Sequence, residues 1–390
     1  MNDDAAEFAR YGRPPPPRAN CYLSGHEEAE RLLLALARAD RLPHGWLISG
    51  PAGIGKATLA YRFARWLLSW GSLVDGLLPA GAGAGGWDGL HVDPAHPVFR
   101  RIASGGHADL LTIERAFDEA RGRLKSEIPV DDIRRIPAFF AGTPAEGAWR
   151  VVVVDGADQM NRNAANALLK CLEEPPPRSL LLLVADRPGV LPATVRSRCR
   201  RLPLRPLPRA TVEALLGRYT PDLATEAAGR IAALNDGSIG RALAFAASDG
   251  VALHGELHRL LLALPQSDPA ALHAFCDKAA AADAAFTETL DLLREFISRV
   301  VHVAAGASPD GDGGDGIASA APPGVAVQLR RIAGAAPLDR WLAVWDNVGD
   351  LLAHADSARL DRKQLVLSAA FIIGSAMRPE ASPDLLRSGA

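Results

Sequence analysis

The pattern of apolar and polar positions changes near residue 205. Before that point, short apolar runs alternate with segments whose apolar side chains recur at helical spacing. The runs at 46–48, 110–113, 151–154 and 180–184 are typical of buried strands. Strands that alternate with helices predict an α/β fold with a mostly parallel sheet. After residue 205 only helical spacing remains, which predicts an all-α region.

A glycine-rich segment follows the first predicted strand and opens a predicted helix. Its sequence, Gly50-Pro51-Ala52-Gly53-Ile54-Gly55-Lys56, is typical of a phosphate-binding loop in that context. Glycines let backbone N–H groups approach phosphate oxygens, and Lys56 adds a positive charge. The alternative is a turn that only starts a helix. The motif normally ends in a hydroxyl that binds Mg²⁺, but Ala57 stands there. Thr58 lies about 100° further round the helix, so we predict an impaired metal site.

A second motif ends the apolar run at 151–154. Asp155 follows four valines, and an acidic residue at this place downstream of a phosphate loop is the Walker B position that holds Mg²⁺. Gly156 follows, where hydrolytic enzymes of this type place a glutamate that polarises water. We therefore predict little or no ATPase activity for this chain. The predicted nucleotide-binding residues are Gly50, Gly53, Gly55, Lys56, Ala57, Thr58 and Asp155.

Composition and charge exclude several classes of protein. Lys and Arg number 43 against 45 Asp and Glu, a net charge of −2, so the chain does not coat nucleic acid by bulk charge. No long apolar run or leader-like segment occurs, so we expect a cytoplasmic protein without a membrane segment.

The sequence offers no convincing metal site. The four cysteines are dispersed, which argues against disulfides and against a cysteine zinc site. His91, Asp93, His96 and His107 could bind a metal, but their spacing fits a surface loop better. We predict no metal and no zinc.

Three motifs, in order along the chain, resemble those of clamp-loader AAA+ ATPases of bacterial DNA polymerase III. They are His44 through Lys56, Asn163 through Pro176, and Ser197-Arg198-Cys199, the SRC motif of that family. A weaker similarity to the end of the family's collar domain lies at 360–364.

The resemblance implies a RecA-like P-loop AAA+ domain, a small helical lid and an all-α collar that joins subunits. With it we assign an N-terminal arm to 1–19, the AAA+ domain to 20–205, the lid to 206–250 and the collar to 251–390. Within the collar, 305–324 is rich in Gly, Asp and Pro and is predicted to be a disordered loop.

Departures from the family pattern favour a stator subunit over the hydrolysing gamma/tau subunits. Besides Ala57 and Gly156, Ala185 stands where the first sensor is polar, and Gly240 stands at the second-sensor arginine, with Arg241 one place late. The family's four-cysteine zinc module has no counterpart in 72–104, which contains no cysteine.

The resemblance also implies a function within a nucleotidyltransferase complex, the DNA polymerase III holoenzyme. The stator would help load the sliding clamp onto primed DNA beside gamma/tau and delta subunits, in a hetero-oligomer. ATP, with Mg²⁺, would bind weakly or vestigially. Arg198 would complete a neighbouring subunit's ATP site as an arginine finger; Arg196, Arg200, Arg201 or a plain solvated turn are the alternatives. The competing functions are a self-sufficient AAA+ ATPase, a gamma/tau-type subunit and a small-molecule kinase.

Overall fold

The structure is a computed structural model. It describes residues 15–71, 89–118, 123–146, 149–247, 250–281, 283–306, 323–353 and 361–378. Most of the predicted arm and of the predicted disordered loop, and the first half of the segment 72–104, lie outside the described residues. The described residues separate into two compact units. One runs to Pro221 and includes Gly237–Gly240; the other comprises Asp222–Asp236 and residues from Arg241 onward.

The first unit is built around a sheet of five parallel strands. All four strands predicted from the sequence are confirmed. The strands of this unit are β1 (Gly45–Ser49), β2 (Leu110–Ile113), β3 (Phe117–Asp118), β4 (Arg123–Leu124), β5 (Arg150–Asp155), β6 (Ser179–Ala185) and β7 (Arg200–Pro203). The sheet order is β2-β5-β6-β1-β7, and β3 and β4 form a separate hairpin.

Helices cover both faces of this sheet. The helices of the unit are α1 (Glu27–Arg38), α2 (Lys56–Gly71), α3 (Pro97–Ala103), α4 (Val130–Ile133), α5 (Arg135–Ala141), α6 (Arg162–Glu173), α7 (Ala193–Arg196) and α8 (Arg209–Tyr219). Along β1, Trp46 and Ile48 pack with α1 to α3, whereas Leu47 packs with α4 to α7 on the other face. Because successive strand side chains point to opposite faces, burial on both sides requires the continuous apolar runs seen in the sequence.

The second unit is helical, as the apolar spacing predicts. Its helices are α9 (Thr225–Leu234), α10 (Ile239–Ala247), α11 (Gly250–Leu262), α12 (Pro269–Ala280), α13 (Asp283–Ala304), α14 (Pro323–Ala333), α15 (Leu338–Ala353) and α16 (Arg362–Ala376). Helix α10 begins in the Gly237–Gly240 segment that belongs to the first unit. Trp341 is fully buried, and its indole N–H donates to Ala333 O at 3.1 Å, so α14 and α15 are fixed together. No helix within the described ranges has both the length and the apolar composition to cross a membrane.

The arginine-dense stretch 194–205 is not a plain turn. It forms most of α7 and then β7, which lies at the edge of the sheet. Of the β7 side chains only Leu202 is buried. An edge strand with one buried side chain has too weak an apolar pattern to be recognised from sequence.

Candidate functional site

The phosphate loop has a backbone that glycine alone accommodates easily. Gly50 has φ +149°, and a Cβ there would lie 2.5 Å from the carbonyl oxygen of Leu204. Gly53 and Gly55 have φ +76° and +101°, in the left-handed region. The loop thus adopts a turn between β1 and α2, with the unpaired N–H groups of the helix start beside it.

Four consecutive carbonyls of this loop accept hydrogen bonds from the chain itself. The donors are Lys56 Nζ to Pro51 O, Ser238 Oγ to Ala52 O at 2.8 Å, Gly240 N to Gly53 O at 2.8 Å, and His26 Nε2 to Ile54 O at 2.7 Å. Burial lowers the pKa of His26, so the ring stays neutral and donates through Nε2. These four hydrogen bonds therefore hold the shape of the loop.

Lys56 is already paired with a carboxylate of its own chain. Its Nζ lies 2.6 Å from Asp186 Oδ1, and Lys56 is only 4% exposed whereas Asp186 is 40% exposed. A phosphate group that uses Lys56 must compete with this ion pair.

Asp158 holds Asp186 in place. The backbone N–H groups of Asp186 and Arg187 donate to the two carboxylate oxygens of Asp158, at 3.2 and 3.1 Å. Asp158 is buried, and its carboxylate is paired with these two N–H groups and with the Arg187 guanidinium at 3.7 Å. The segment after β6 is thereby anchored next to Lys56.

Asp155 lies at the same, carboxyl-terminal edge of the sheet. Burial raises its pKa to about 6, and the nearby carboxylates of Glu114 and Asp186 add to the rise. A cavity of about 600 Å³ opens there, lined among others by Glu114, Asp132, Asp155 and Asp186 together with Arg115 and Arg135. Carboxylates outnumber arginines, so this edge repels a polyphosphate that brings no cation.

Two features of the backbone oppose the hydrolytic pattern. Gly156 has φ +79°, and a Cβ there would lie 2.6 Å from Gln159 Oε1. At Gly240 a Cβ would lie 2.9 Å from Gly53 Cα, so any side chain would push against the phosphate loop. Arg241 pairs instead with Asp236 at 3.9 Å. At Gly156 the positive φ thus disfavours the missing glutamate, and at Gly240 the nearby backbone of Gly53 leaves little room for the missing sensor arginine.

Arg198 lies at the opposite, amino-terminal ends of the parallel strands. Its Nη2 is 2.7 Å from Glu173 Oε1, and its Nη1 donates to Thr194 O at 3.0 Å. It follows α7 and precedes β7, whose Arg200 is in register with Trp46 near the start of β1. A Cβ on Gly45 would lie 3.5 Å from Arg198 O. The phosphate loop begins where β1 ends, one strand length of about 16 Å away.

The neighbouring arginines have other contacts. Arg196 donates to Pro188 O at 3.5 Å and to Gly189 O at 3.4 Å. The Arg200 guanidinium lies over the Trp46 ring, 5.7 Å from its centroid. Within the part of the chain that the structure describes, Arg198 is the one of these three arginines that pairs with a carboxylate.

Several residues that the sequence analysis did not identify contribute to the two ends of the sheet, near the phosphate loop and near Arg198. Asp186 follows a buried strand as Asp155 does, so the rule that selected Asp155 also selects Asp186. Asp158 and Glu173 carry no such signal, because their roles depend on contacts with segments 28 and 25 residues away. His26 was likewise missed; its partner Ile54 is also distant in sequence.

The described part of the chain contains no group of three or more His, Cys, Asp or Glu side chains arranged to hold a metal. All four cysteines are buried, and none of them forms a disulfide. Burial raises the pKa of Cys199 to about 12 and that of Cys276 to about 11, so both thiols stay protonated. The absence of zinc remains a prediction.

Comparison with known proteins agrees with the motifs. A family model described as "DNA polymerase III, delta subunit" matches residues 91–208. The delta' subunit of DNA polymerase III from Pseudomonas aeruginosa is 38% identical over 196 residues, 50% of this chain and 53% of that protein. The delta' subunit from Bacillus subtilis is 31% identical over 187 residues, 48% of this chain and 50% of that protein. Over about half of its length, this chain is similar to delta' subunits of DNA polymerase III.

The delta-prime similarity is partial in length. The chain spans about half the length of the curated relatives it matches. A gamma subunit-related protein from Thermotoga maritima aligns over 89% of this chain and 99% of that chain, with a TM-score of 0.37 and 18% identity. That alignment is too loose to add to the assignment. A glycine loop between a strand and a helix of a five-stranded parallel sheet is the arrangement expected of a P-loop nucleotide-binding domain.

Proposed function

We propose that this chain is a stator of the DNA polymerase III clamp loader, which helps load the sliding clamp onto primed DNA. Its partners are gamma/tau and delta subunits, the clamp and primed DNA, in a cytoplasmic hetero-oligomer. The observation that carries the proposal is the separation of two half-sites. A phosphate loop without its catalytic groups lies at the carboxyl-terminal ends of the parallel strands, and Arg198 lies at their amino-terminal ends.

The chain's own loop supports a passive role. Lys56 is neutralised by Asp186, the metal hydroxyl is replaced by Ala57, and the glutamate position is Gly156. ATP with Mg²⁺ would bind here weakly, through the glycine backbone, Lys56 and Asp155. Hydrolysis requires a polarised water and a positioned metal; Gly156 replaces the glutamate that would polarise the water, and Ala57 replaces the hydroxyl that would help position the metal.

The position of Arg198 supports action on a neighbouring subunit. Because Arg198 and the phosphate loop lie at opposite ends of β1, Arg198 is too far from its own loop to contact a nucleotide there. The Arg198 side chain is 37% exposed and is therefore accessible to another molecule. A guanidinium that reaches the γ-phosphate stabilises the transition-state charge, worth roughly 10³–10⁵ in rate in other P-loop systems.

The predicted lid at 206–250 and collar at 251–390 complete the proposal. The collar joins the subunits through helical faces. Phe371, Trp345 and Leu342 are exposed apolar side chains on α15 and α16, which suits such packing.

The test is a reconstituted loader that carries Arg198→Ala, with Arg196→Ala and Arg200→Ala as matched controls. Gel filtration first checks that the ring assembles. We expect an intact ring whose DNA-stimulated ATPase and clamp loading fall at least tenfold with Arg198→Ala, a conservative threshold beside the roughly 10³–10⁵ that an arginine finger supplies. Unchanged activity with Arg198→Ala would refute the assignment. A loss confined to Arg196→Ala or Arg200→Ala would show that this other arginine, and not Arg198, is the arginine finger.

A self-sufficient ATPase or gamma/tau-type subunit is the second candidate, since Lys56 and Asp155 are retained. It predicts turnover of order 1 s⁻¹ by the isolated chain. Steady-state ATPase of the purified chain, abolished by Lys56→Ala, would support it against the stator.

A further inference from the structure

Arg198 is held by contacts within its own chain, and one of them is a charge. Glu173 Oε1 lies 2.7 Å from Nη2, and Thr194 O accepts from Nη1 at 3.0 Å. A guanidinium has five N–H donors, and these two contacts use two of them. With respect to the described residues, three N–H donors therefore stay available for an incoming anion.

The position of Glu173 is itself fixed by the fold. Glu173 is the last residue of α6, and His44 Nε2 donates to the carbonyl of the preceding Leu172 at 2.9 Å. At Gly45 a Cβ would lie 2.9 Å from Leu172 Cδ2 and 3.5 Å from Arg198 O. The end of α6 and the segment that carries Arg198 thus meet at the start of β1, where glycine permits close approach.

The Glu173–Arg198 ion pair contributes too little to the stability of the fold to explain its presence. Glu173 and Arg198 are 49% and 37% exposed, and an exposed pair contributes about 0–1 kcal/mol. An arginine side chain, however, carries about 2 kcal/mol of rotamer entropy, which a free arginine finger must lose on reaching its target. A partner that restricts the guanidinium beforehand reduces that cost at the moment of reaction.

We propose that Glu173 is a positioning residue for Arg198, orienting its guanidinium toward the nucleotide of the adjoining subunit. This inference rests on the proposed function of Arg198. Glu173 touches neither nucleotide nor reacting atoms; it acts through Arg198. The ATP substrate binds to the neighbour's own loop, so loss of Glu173 affects the transition state and not ATP binding.

The test compares Glu173→Ala with Glu174→Ala in the reconstituted loader. Glu174 is the adjacent carboxylate, exposed and of the same charge, so it controls for a general change of surface charge. We expect Glu173→Ala to lower the kcat of DNA-stimulated ATPase roughly tenfold, since misplacement of a catalytic group can cost up to about 10². The KM for ATP should stay unchanged, and Glu174→Ala should resemble wild type. Glu173→Gln retains a hydrogen-bond acceptor and should recover most of the loss.

A double-mutant cycle separates this inference from the proposed function. If Glu173 acts through Arg198, Glu173→Ala has no further effect in a loader that already carries Arg198→Ala. An inactive Arg198→Ala loader with a normal Glu173→Ala loader would overturn the positioning role alone. A silent Arg198→Ala would instead overturn the proposed function. A faster Glu173→Ala loader would show that Glu173 restrains the finger, and failure to assemble would show a structural residue; either result contradicts the inference.

Discussion

Removal of the Asp186 carboxylate should strengthen nucleotide binding by this chain. Asp186 Oδ1 is 2.6 Å from Lys56 Nζ, which is almost fully buried. A phosphate that contacts Lys56 must break this pair. With Asp186→Ala the competitor is gone, and Lys56 is left with the carbonyl of Pro51 as its hydrogen-bond acceptor among the described residues. The lysine then gains more from a phosphate than it does in the native chain.

The magnitude follows from the burial of the two partners. Opposite unit charges at about 4 Å attract by about 4 kcal/mol at an effective dielectric constant of 20 and about 1 kcal/mol in water. Asp186 is 40% exposed, so screening places the pair between these limits, at about 2 kcal/mol. Since 1.4 kcal/mol is tenfold, the Kd for nucleotide should fall roughly 30-fold.

The assay is calorimetric titration of the purified chain with a non-hydrolysable ATP analogue and Mg²⁺. Asp277→Ala is the matched control, because Asp277 also lies 2.6 Å from a lysine, Lys363, in the helical unit. We expect Asp186→Ala to bind more tightly than wild type, and Asp277→Ala to bind as wild type does. The gain should vanish when Lys56→Ala is added.

Two results would refute the reasoning. Equal or weaker binding by Asp186→Ala would mean that the ion pair does not compete with phosphate. A gain that survives Lys56→Ala would mean that Asp186 acts by general repulsion along the acidic edge and not through Lys56.

Two further predictions concern the carboxyl-terminal edge of the sheet. Burial raises the pKa of Asp155 from 3.8 to about 6, so this group favours the folded state at low pH and loses that contribution as pH rises through 6. Asp155→Asn should therefore raise the melting temperature at pH 8 and leave it unchanged below pH 4. The corresponding gain in the free energy of unfolding at pH 8 is at most about 3 kcal/mol. The opposite pH dependence would contradict the burial argument. Gly156→Glu should not restore ATP hydrolysis and should lower the melting temperature, because its φ of +79° and the nearby Gln159 disfavour a side chain. Turnover by that variant, absent from a matched Gly189→Glu chain, would show that only the carboxylate was missing.

Local patterns predicted most of the first unit. The runs that became β1, β2, β5 and β6 are apolar over their whole length because both faces of these strands are buried. The phosphate loop was recognisable for a similar reason, since its glycines are required by backbone geometry that depends on few other residues. Where neighbouring residues impose the conformation, one sequence is sufficient.

Contacts between distant segments could not be predicted in the same way. Lys56 and Asp186 meet because β1 and β6 are adjacent in the sheet. The order of strands in a sheet cannot be predicted from the sequence of any one strand. Arg65 illustrates the same limit in the core. This arginine is almost completely buried and donates to Arg18 O at 2.8 Å and to Asn20 O at 2.5 Å, partners that no periodicity indicates.

The placement of Arg198 also required the fold. The SRC motif identified the residue, but only the parallel pairing of β7 with β1 puts it at the edge opposite the phosphate loop. Because β7 is a short edge strand with one buried side chain, its direction was not predictable from the sequence.

The central claim is that this chain serves the ATP site of a neighbour and not its own. The most direct measurement is DNA-stimulated ATPase of two otherwise identical loaders, one with Lys56→Ala and one with Arg198→Ala in this chain. The account predicts near-normal activity for Lys56→Ala and a large loss for Arg198→Ala. A large loss with Lys56→Ala beside normal activity with Arg198→Ala would contradict it.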